Sequence, residues 1–213
     1  MAEELVFYTH PMSRGRIARW MLEEVGQPYR TEILGYGEGM KSPEYLKINP
    51  MGKVPALRHG DQVVTEAAAI CAYLADAFPQ AGLAPPPGSP LRAPYYRWLF
   101  FAAGPVESAV MTQAMGWEAP PERQRMLGWG SMQDVLAALE GAVTGREQIV
   151  GDRFSAADVY VGAQLGWGMQ FGALEKRPAF EQYVGRLTAR PAYQRAMKID
   201  EAAAAAEQPQ PAE

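Results

Sequence analysis

The sequence predicts an α+β protein in two parts, a small mixed β/α domain followed by an all-α domain. Three observations predict it. Short β-like runs alternate with helical ones from residue 4 to residue 78. Residues 79–90, "PQAGLAPPPGSP", gather Pro79, Pro85, Pro86, Pro87 and Pro90 with Gly82 and Gly88, a composition that neither continues a helix nor pairs in a sheet. Beyond them the β signal is absent and helical spacing recurs. The expected organisation is therefore 1–78, a linker at 79–90, and a helical domain at 91–213.

The elements follow in chain order. "ELVFYTH" at 4–10 reads as a strand. In "SRGRIARWMLEEVG" the apolar Ile17, Met21 and Val25 recur every fourth residue and Ala18 and Leu22 widen the stripe, which predicts an amphipathic helix from Ser13, ended by Gly26 and Pro28. "YRTEIL" is a second strand, and a polar loop carrying "SPEYLKIN" follows. "VPAL" at 54–57 and "QVVTE" at 62–66 flank "RHGD" and read as a hairpin in which Gly60 supplies the turn. Thr65, Glu66 and Ala67 open an Ala-rich helix. Further helices are expected at 91–116, 122–144, 155–172, 178–188 and 191–205.

Composition limits the function. The chain has 213 residues, 48% of them hydrophobic, enough to bury a core. Its net charge of −4 is spread over 24 acids and 20 bases without single-sign blocks, so it lacks the basic footprint of a nucleic-acid binder. One cysteine, Cys71, cannot pair within the chain, and with only His10 and His59 beside it no metal site is expected. The first residues hold acids where a signal peptide holds bases, and no apolar run has the length of a membrane span. A cytoplasmic protein without membrane or nucleic-acid partners is expected.

Pro55 lies inside an apolar run that otherwise reads as a strand. It either opens an edge strand or follows a cis peptide bond, and in the second case Val54 turns its backbone groups out of the sheet toward a peptide-like ligand. The helix start at Glu66 and Ala67 adds free N–H groups suited to a carboxylate.

"NPMGKVPAL" at 49–57 together with "TEAAAI" at 65–70 resembles the cytosolic glutathione transferases, and the resemblance extends over nearly the whole chain. It implies a thioredoxin-like N-terminal domain, βαβ-α-ββα around a mixed four-stranded sheet, and an all-helical second domain. It implies a cis Val54–Pro55 bond, with Val54 pairing with the cysteinyl unit of glutathione and Glu66 and Ala67 holding the γ-glutamyl end. The family commonly has serine where Ala67 stands, so one hydrogen bond to that end is missing. Lys53 either helps hold the glycyl end or is a solvated loop lysine.

The resemblance also implies thiol activation within "FYTHPMSRGRIARW". Ser13 matches the serine or cysteine that several classes use to hold the thiolate, so a serine-type, bacterial-type enzyme is favoured. On residue type alone Ser13 is equally a helix cap. "RGR" at 14–16 resembles the tyrosine-type classes, in whose register His10 falls, with Tyr8 two residues earlier; the order of preference is Ser13, Tyr8, His10. Arg14 either lowers the thiol pKa by its charge or sits on the solvated helix face. Met111 and Met115 share a face with Glu107, and with Met12 and Trp117 they are expected to line an acceptor pocket, although methionines at helical spacing also serve as core. Cys71 reads as packing and Ser155 with Asp158 as a capping box. The implied activity is conjugation of glutathione to small hydrophobic electrophiles in detoxification, by a homodimer. A non-catalytic ligand-binding protein, or a glutathione-dependent isomerase or reductase, is the alternative.

Overall fold

A computed structural model describes residues 3–207. Four strands, β1 (Leu5–Thr9), β2 (Arg30–Ile33), β3 (Ala56–His59) and β4 (Gln62–Thr65), form one mixed sheet in the order β2-β1-β3-β4. β1 runs parallel to β2 and antiparallel to β3, and β3 and β4 make the expected hairpin in a shifted register: Arg58 and His59 pair with Val63 and Gln62 within the strands, so the turn is only Gly60, at φ 56°, and Asp61. Alternation along β1 sorts the side chains. Phe7 points to the face where the Arg19 guanidinium of α1 (Gly15–Val25) lies 5.1 Å from its ring centroid. Tyr8 points to the other face, where it packs with Met40 of α2 (Glu38–Lys41), Tyr45 of α3 (Pro43–Leu46), Ala56 and Val54. α1 also packs on α4 (Ala67–Ala77), and the parallel β1–α1–β2 unit followed by the ββα hairpin gives the thioredoxin-like arrangement.

α1 ends as its sequence dictates, with Gly26 at φ 72° closing the helix through a bond from its N–H to the Leu22 carbonyl. Its start is two residues later than the pattern suggested, at Gly15. A β-carbon at Gly15 would overlap Thr9 Oγ1, so the close approach of helix and strand requires glycine inside "RGR".

The chain divides into two compact units, residues 1–81 with 190–213, and residues 82–189. This differs from the boundaries read from the sequence in two places. The last helix, α10 (Pro191–Glu207), belongs with the sheet because it packs on α1: Arg19 and Asp200 form a buried ion pair, Trp20 meets the Tyr193 ring edge-on at 4.9 Å, and Arg190 grips Glu24 through two bonds of 2.6 and 2.8 Å. The proline-rich stretch is not a free tether. Leu83 is buried and its carbonyl accepts from the Ala156 N–H, while Arg92 Nε donates to the Pro85 carbonyl, so residues 82–90 are part of the helical unit.

That unit contains α5 (Arg92–Phe101), a π-helical turn at Ala102–Val106, α6 (Glu107–Ala114), α7 (Met132–Val143), α8 (Ala156–Gln170) and α9 (Pro178–Thr188). The expected 91–116 helix is thus interrupted where Pro105 lacks an N–H to donate. The expected 122–144 helix begins only at Met132; Pro121–Met126 form a 3₁₀ segment, and Gly130 at φ 69° precedes the Ser131 cap. Ser155 and Asp158 form the expected capping box at the start of α8. Asp158 is fully buried and also accepts from the Ile149 N–H at 2.8 Å and the Tyr183 hydroxyl at 2.7 Å, which ties α8 to α9. Burial nonetheless pushes its carboxyl above the ordinary value.

Candidate functional site

The strand register gathers three chain segments at one end of the sheet. Tyr8 pairs with Ala56, and Ala56 with Thr65. The segment leaving β1 (His10–Ser13), the one entering β3 (Val54–Pro55) and the one leaving β4 (Glu66–Ala67) therefore lie side by side. α1 and α4 both start at this end, so two positive dipole ends face it, and α4 presents its first N–H groups without a side-chain cap.

His10 to Ser13 form a β-turn, with the Ser13 N–H bonded to the His10 carbonyl at 3.1 Å and Pro11 in the second position, which that ring favours. Ser13 is half-buried. Its hydroxyl donates to the His10 carbonyl at 2.7 Å and accepts from the Gly15 N–H at 3.0 Å. It thus satisfies one amide at the helix entrance while Arg14, which is exposed, occupies the cap position itself. His10 is buried, and its Nδ1 accepts from the Met12 N–H at 3.1 Å, which puts the ring proton of the neutral form on Nε2. Tyr8 is half-buried on the sheet face, its ring 5.6 Å from that of Tyr45. Met12 is exposed at the turn's tip.

The segment entering β3 is shaped by Asn49. Its Oδ1 accepts from the Met51 N–H at 3.1 Å, its Nδ2 donates to the Lys53 carbonyl at 2.8 Å, and the Tyr45 hydroxyl donates to the same carbonyl at 2.6 Å. Burial pushes the Tyr45 phenol up to about 12, so it remains a donor throughout the physiological range. Val54–Pro55 is cis, and Val54 precedes the first ladder pair. The Lys53 side chain is exposed.

Glu66 adopts φ 65° and ψ 119°, the one non-glycine residue with positive φ among those described. A side chain in that region costs about 1–3 kcal/mol and persists where the surroundings require it. The conformation starts α4 directly at Ala67, with no side chain capping the helix. Ala67 is buried and Glu66 exposed.

Met111 lies within α6, Met115 caps its C-terminus and Trp117 follows, all three exposed, in the helical unit. Cys71 is fully buried and its thiol is pushed up by desolvation, which suits packing and not redox chemistry. Among the described residues no cluster of His, Cys, Asp and Glu could hold a metal ion, and no helix is long and apolar enough to cross a membrane.

Four contributors had escaped the sequence reading. Tyr45 and Asn49 fix the Lys53 carbonyl. Arg16 Nε donates to the Pro11 carbonyl at 2.6 Å, and the Tyr36 hydroxyl donates to the Met12 carbonyl at 2.8 Å. Asn49, next to Pro50, and Tyr36, between Gly35 and Gly37, carried local turn signals.

Comparison with known proteins identifies the family and agrees with the fold. The profile of the glutathione S-transferase N-terminal domain matches residues 12–77, and that of the glutathione S-transferase C-terminal domain matches residues 106–191. The chain belongs to the glutathione S-transferase family. A crystal structure of a glutathione transferase from Methylococcus capsulatus superposes with a TM-score of 0.76 at 32% identity, covering 93% of this chain and 99% of that one. A sphingomonad glutathione S-transferase complexed with glutathione gives 0.73 at 29% identity, covering 92% and 98%. Maleylacetoacetate isomerase of Pseudomonas aeruginosa is 31% identical over 177 residues, 80% of this chain and 82% of the relative.

Proposed function

We propose that this transferase-family chain binds glutathione at the described end of the sheet and conjugates its thiolate to small hydrophobic electrophiles. The observation that carries the reading is the register, which sets the Ser13 turn beside Val54 and the uncapped start of α4. In this reading the Val54 backbone pairs with the cysteinyl unit, the α4 amides and Glu66 take the γ-glutamyl end, and Lys53 assists the glycyl end. The glutathione S–H loses its proton to solvent, the Ser13 hydroxyl donates to the resulting thiolate, and the sulfur forms a bond to the electrophilic carbon while the leaving group departs with its electron pair. A free thiol near pKa 8.5 is only a few per cent ionised at neutral pH, and one charge-assisted hydrogen bond, about 1.5–3 kcal/mol, lowers it by about one to two units. Arg14 and the dipole of α1 act in the same direction. Met12, exposed at the tip of the turn, is assigned to the acceptor, and the enzyme is assigned as a homodimer, which light scattering checks.

A second reading draws on the Pseudomonas relative: the same thiolate adds to a conjugated double bond, the bond rotates, and elimination returns the thiolate unchanged. Glutathione calorimetry followed by a panel of halide, epoxide, peroxide and isomerisable enone substrates separates the readings. Conjugation supports the first, turnover without glutathione consumption the second, and glutathione binding without turnover leaves a ligand-binding protein.

A further inference from the structure

The turn before α1 is held from outside at two consecutive peptide groups. Its central peptide joins Pro11 to Met12, and a β-turn can interchange between types I and II by flipping this unit through about 180°, at little cost when its ends are free. Here neither end is free. The Pro11 carbonyl accepts from Arg16 Nε at 2.6 Å and the Met12 N–H donates to His10 Nδ1 at 3.1 Å. The next peptide is fixed likewise, its Met12 carbonyl accepting from the Tyr36 hydroxyl at 2.8 Å and its Ser13 N–H bonded to the His10 carbonyl at 3.1 Å. Arg16 comes from the first turn of α1. Tyr36 comes from the loop between β2 and α2, between Gly35 and Gly37, with its ring 4.2 Å from that of His10.

We propose that Arg16 and Tyr36 are positioning residues for thiol activation, locking the His10–Ser13 turn in one peptide orientation so that the Ser13 hydroxyl meets the glutathione sulfur. The proposal rests on the assignment of Ser13 as thiolate donor. A flip of the Pro11–Met12 peptide would break both the Arg16 and the His10 Nδ1 bonds, and rotation of the next would break the Tyr36 bond. The clamp thus confines the direction of the Ser13 Cα–Cβ bond without either residue touching the substrate.

Titration of the thiolate absorbance of bound glutathione tests this in the wild type, Tyr36→Phe, Arg16→Gln and Ser13→Ala, and in Tyr36→Phe combined with Ser13→Ala. Tyr36 is 62% exposed, so loss of its hydroxyl alone leaves the fold intact. Tyr36→Phe and Arg16→Gln are each expected to raise the thiol pKa by about half to one unit, roughly three- to tenfold less thiolate below that pKa. In the Ser13→Ala background Tyr36→Phe is expected to add nothing, because both act through one hydroxyl. Unchanged pKa values in both single variants, or a further rise in the double variant, overturn the clamp while leaving Ser13 in place. A wild type whose bound thiol titrates like free glutathione overturns the assignment of Ser13 and the clamp together.

Discussion

Arg19 of α1 and Asp200 of α10 form an ion pair with no exposure to speak of, Nε to Oδ1 at 2.7 Å, and it joins two elements 181 residues apart in sequence. The guanidinium is further held by the Tyr29 and Thr31 hydroxyls, each at 3.2 Å, and by the rings of Phe7 and Tyr29. Asp200 Oδ2 has no hydrogen-bond partner among the described residues, and burial outweighs the attraction of Arg19 and Arg16, so its carboxyl is pushed above the ordinary 3.8.

The first prediction follows from that imbalance. Asp200→Ala strands a buried guanidinium and should cost about 3–5 kcal/mol, whereas Arg19→Met with Asp200→Leu, which removes both charges, should recover most of it. Because the folded protein holds the Asp200 proton more tightly than the unfolded chain, this group's contribution is fully present below 3.8 and declines as pH rises through the raised value. The wild type should therefore lose stability relative to the double variant over that rise. Urea unfolding between pH 4 and 8 checks both; a double variant no more stable than Asp200→Ala would contradict the account.

The second concerns Glu66, whose positive φ is a local cost borne at the proposed ligand site. Glu66→Gly relieves the steric part and adds unfolded-chain entropy, so stability should hold or rise by up to about 1 kcal/mol. Glutathione affinity should fall with the lost carboxylate. Paired thermal unfolding and calorimetry decide it, and an unfolding loss above about 1 kcal/mol with affinity intact would make Glu66 purely structural.

The third uses Ala67, the first residue of α4, whose methyl is buried. Ala67→Ser offers the γ-glutamyl carboxylate one more donor, about 1.5–3 kcal/mol in a charge-assisted bond, so glutathione binding should tighten roughly ten- to a hundredfold. Calorimetry with unchanged or weaker affinity would indicate that the ligand's carboxylate lies elsewhere.

What was legible in the sequence is what short-range physics encodes. The apolar stripe of Ile17, Met21 and Val25 with Gly26 behind it gave α1, Gly60 gave the hairpin though not the length of its strands, and Ser155 with Asp158 gave the start of α8. The contribution of α10 to the sheet unit was not legible, because the Arg19–Asp200 pair leaves no local pattern and α10 reads as one more helix of the second part. Nor was the fixing of the Ser13 turn. Tyr36 lies between glycines outside any periodic run, and nothing in the spacing of Arg16 on α1 signals its bond to the Pro11 carbonyl.

The central claim is that the Ser13 hydroxyl stabilises the glutathione thiolate. His10 is a poor control for it, because its ring nitrogen holds the Met12 N–H and its removal would disturb the turn. Tyr8→Phe is the better one, since it keeps the ring packed beside that of Tyr45. Ser13→Ala also loses the bond to the Gly15 N–H, at about 1 kcal/mol of helix stability, so Ser13→Gly, which costs a helix entrance only about a few tenths, serves beside it. The measurement is the ultraviolet titration of bound glutathione in these three variants. The account predicts that the thiol pKa rises by about one to two units in both Ser13 variants and stays put in Tyr8→Phe. A pKa that stays put in both Ser13 variants and moves in Tyr8→Phe would contradict it and give the role to the tyrosine.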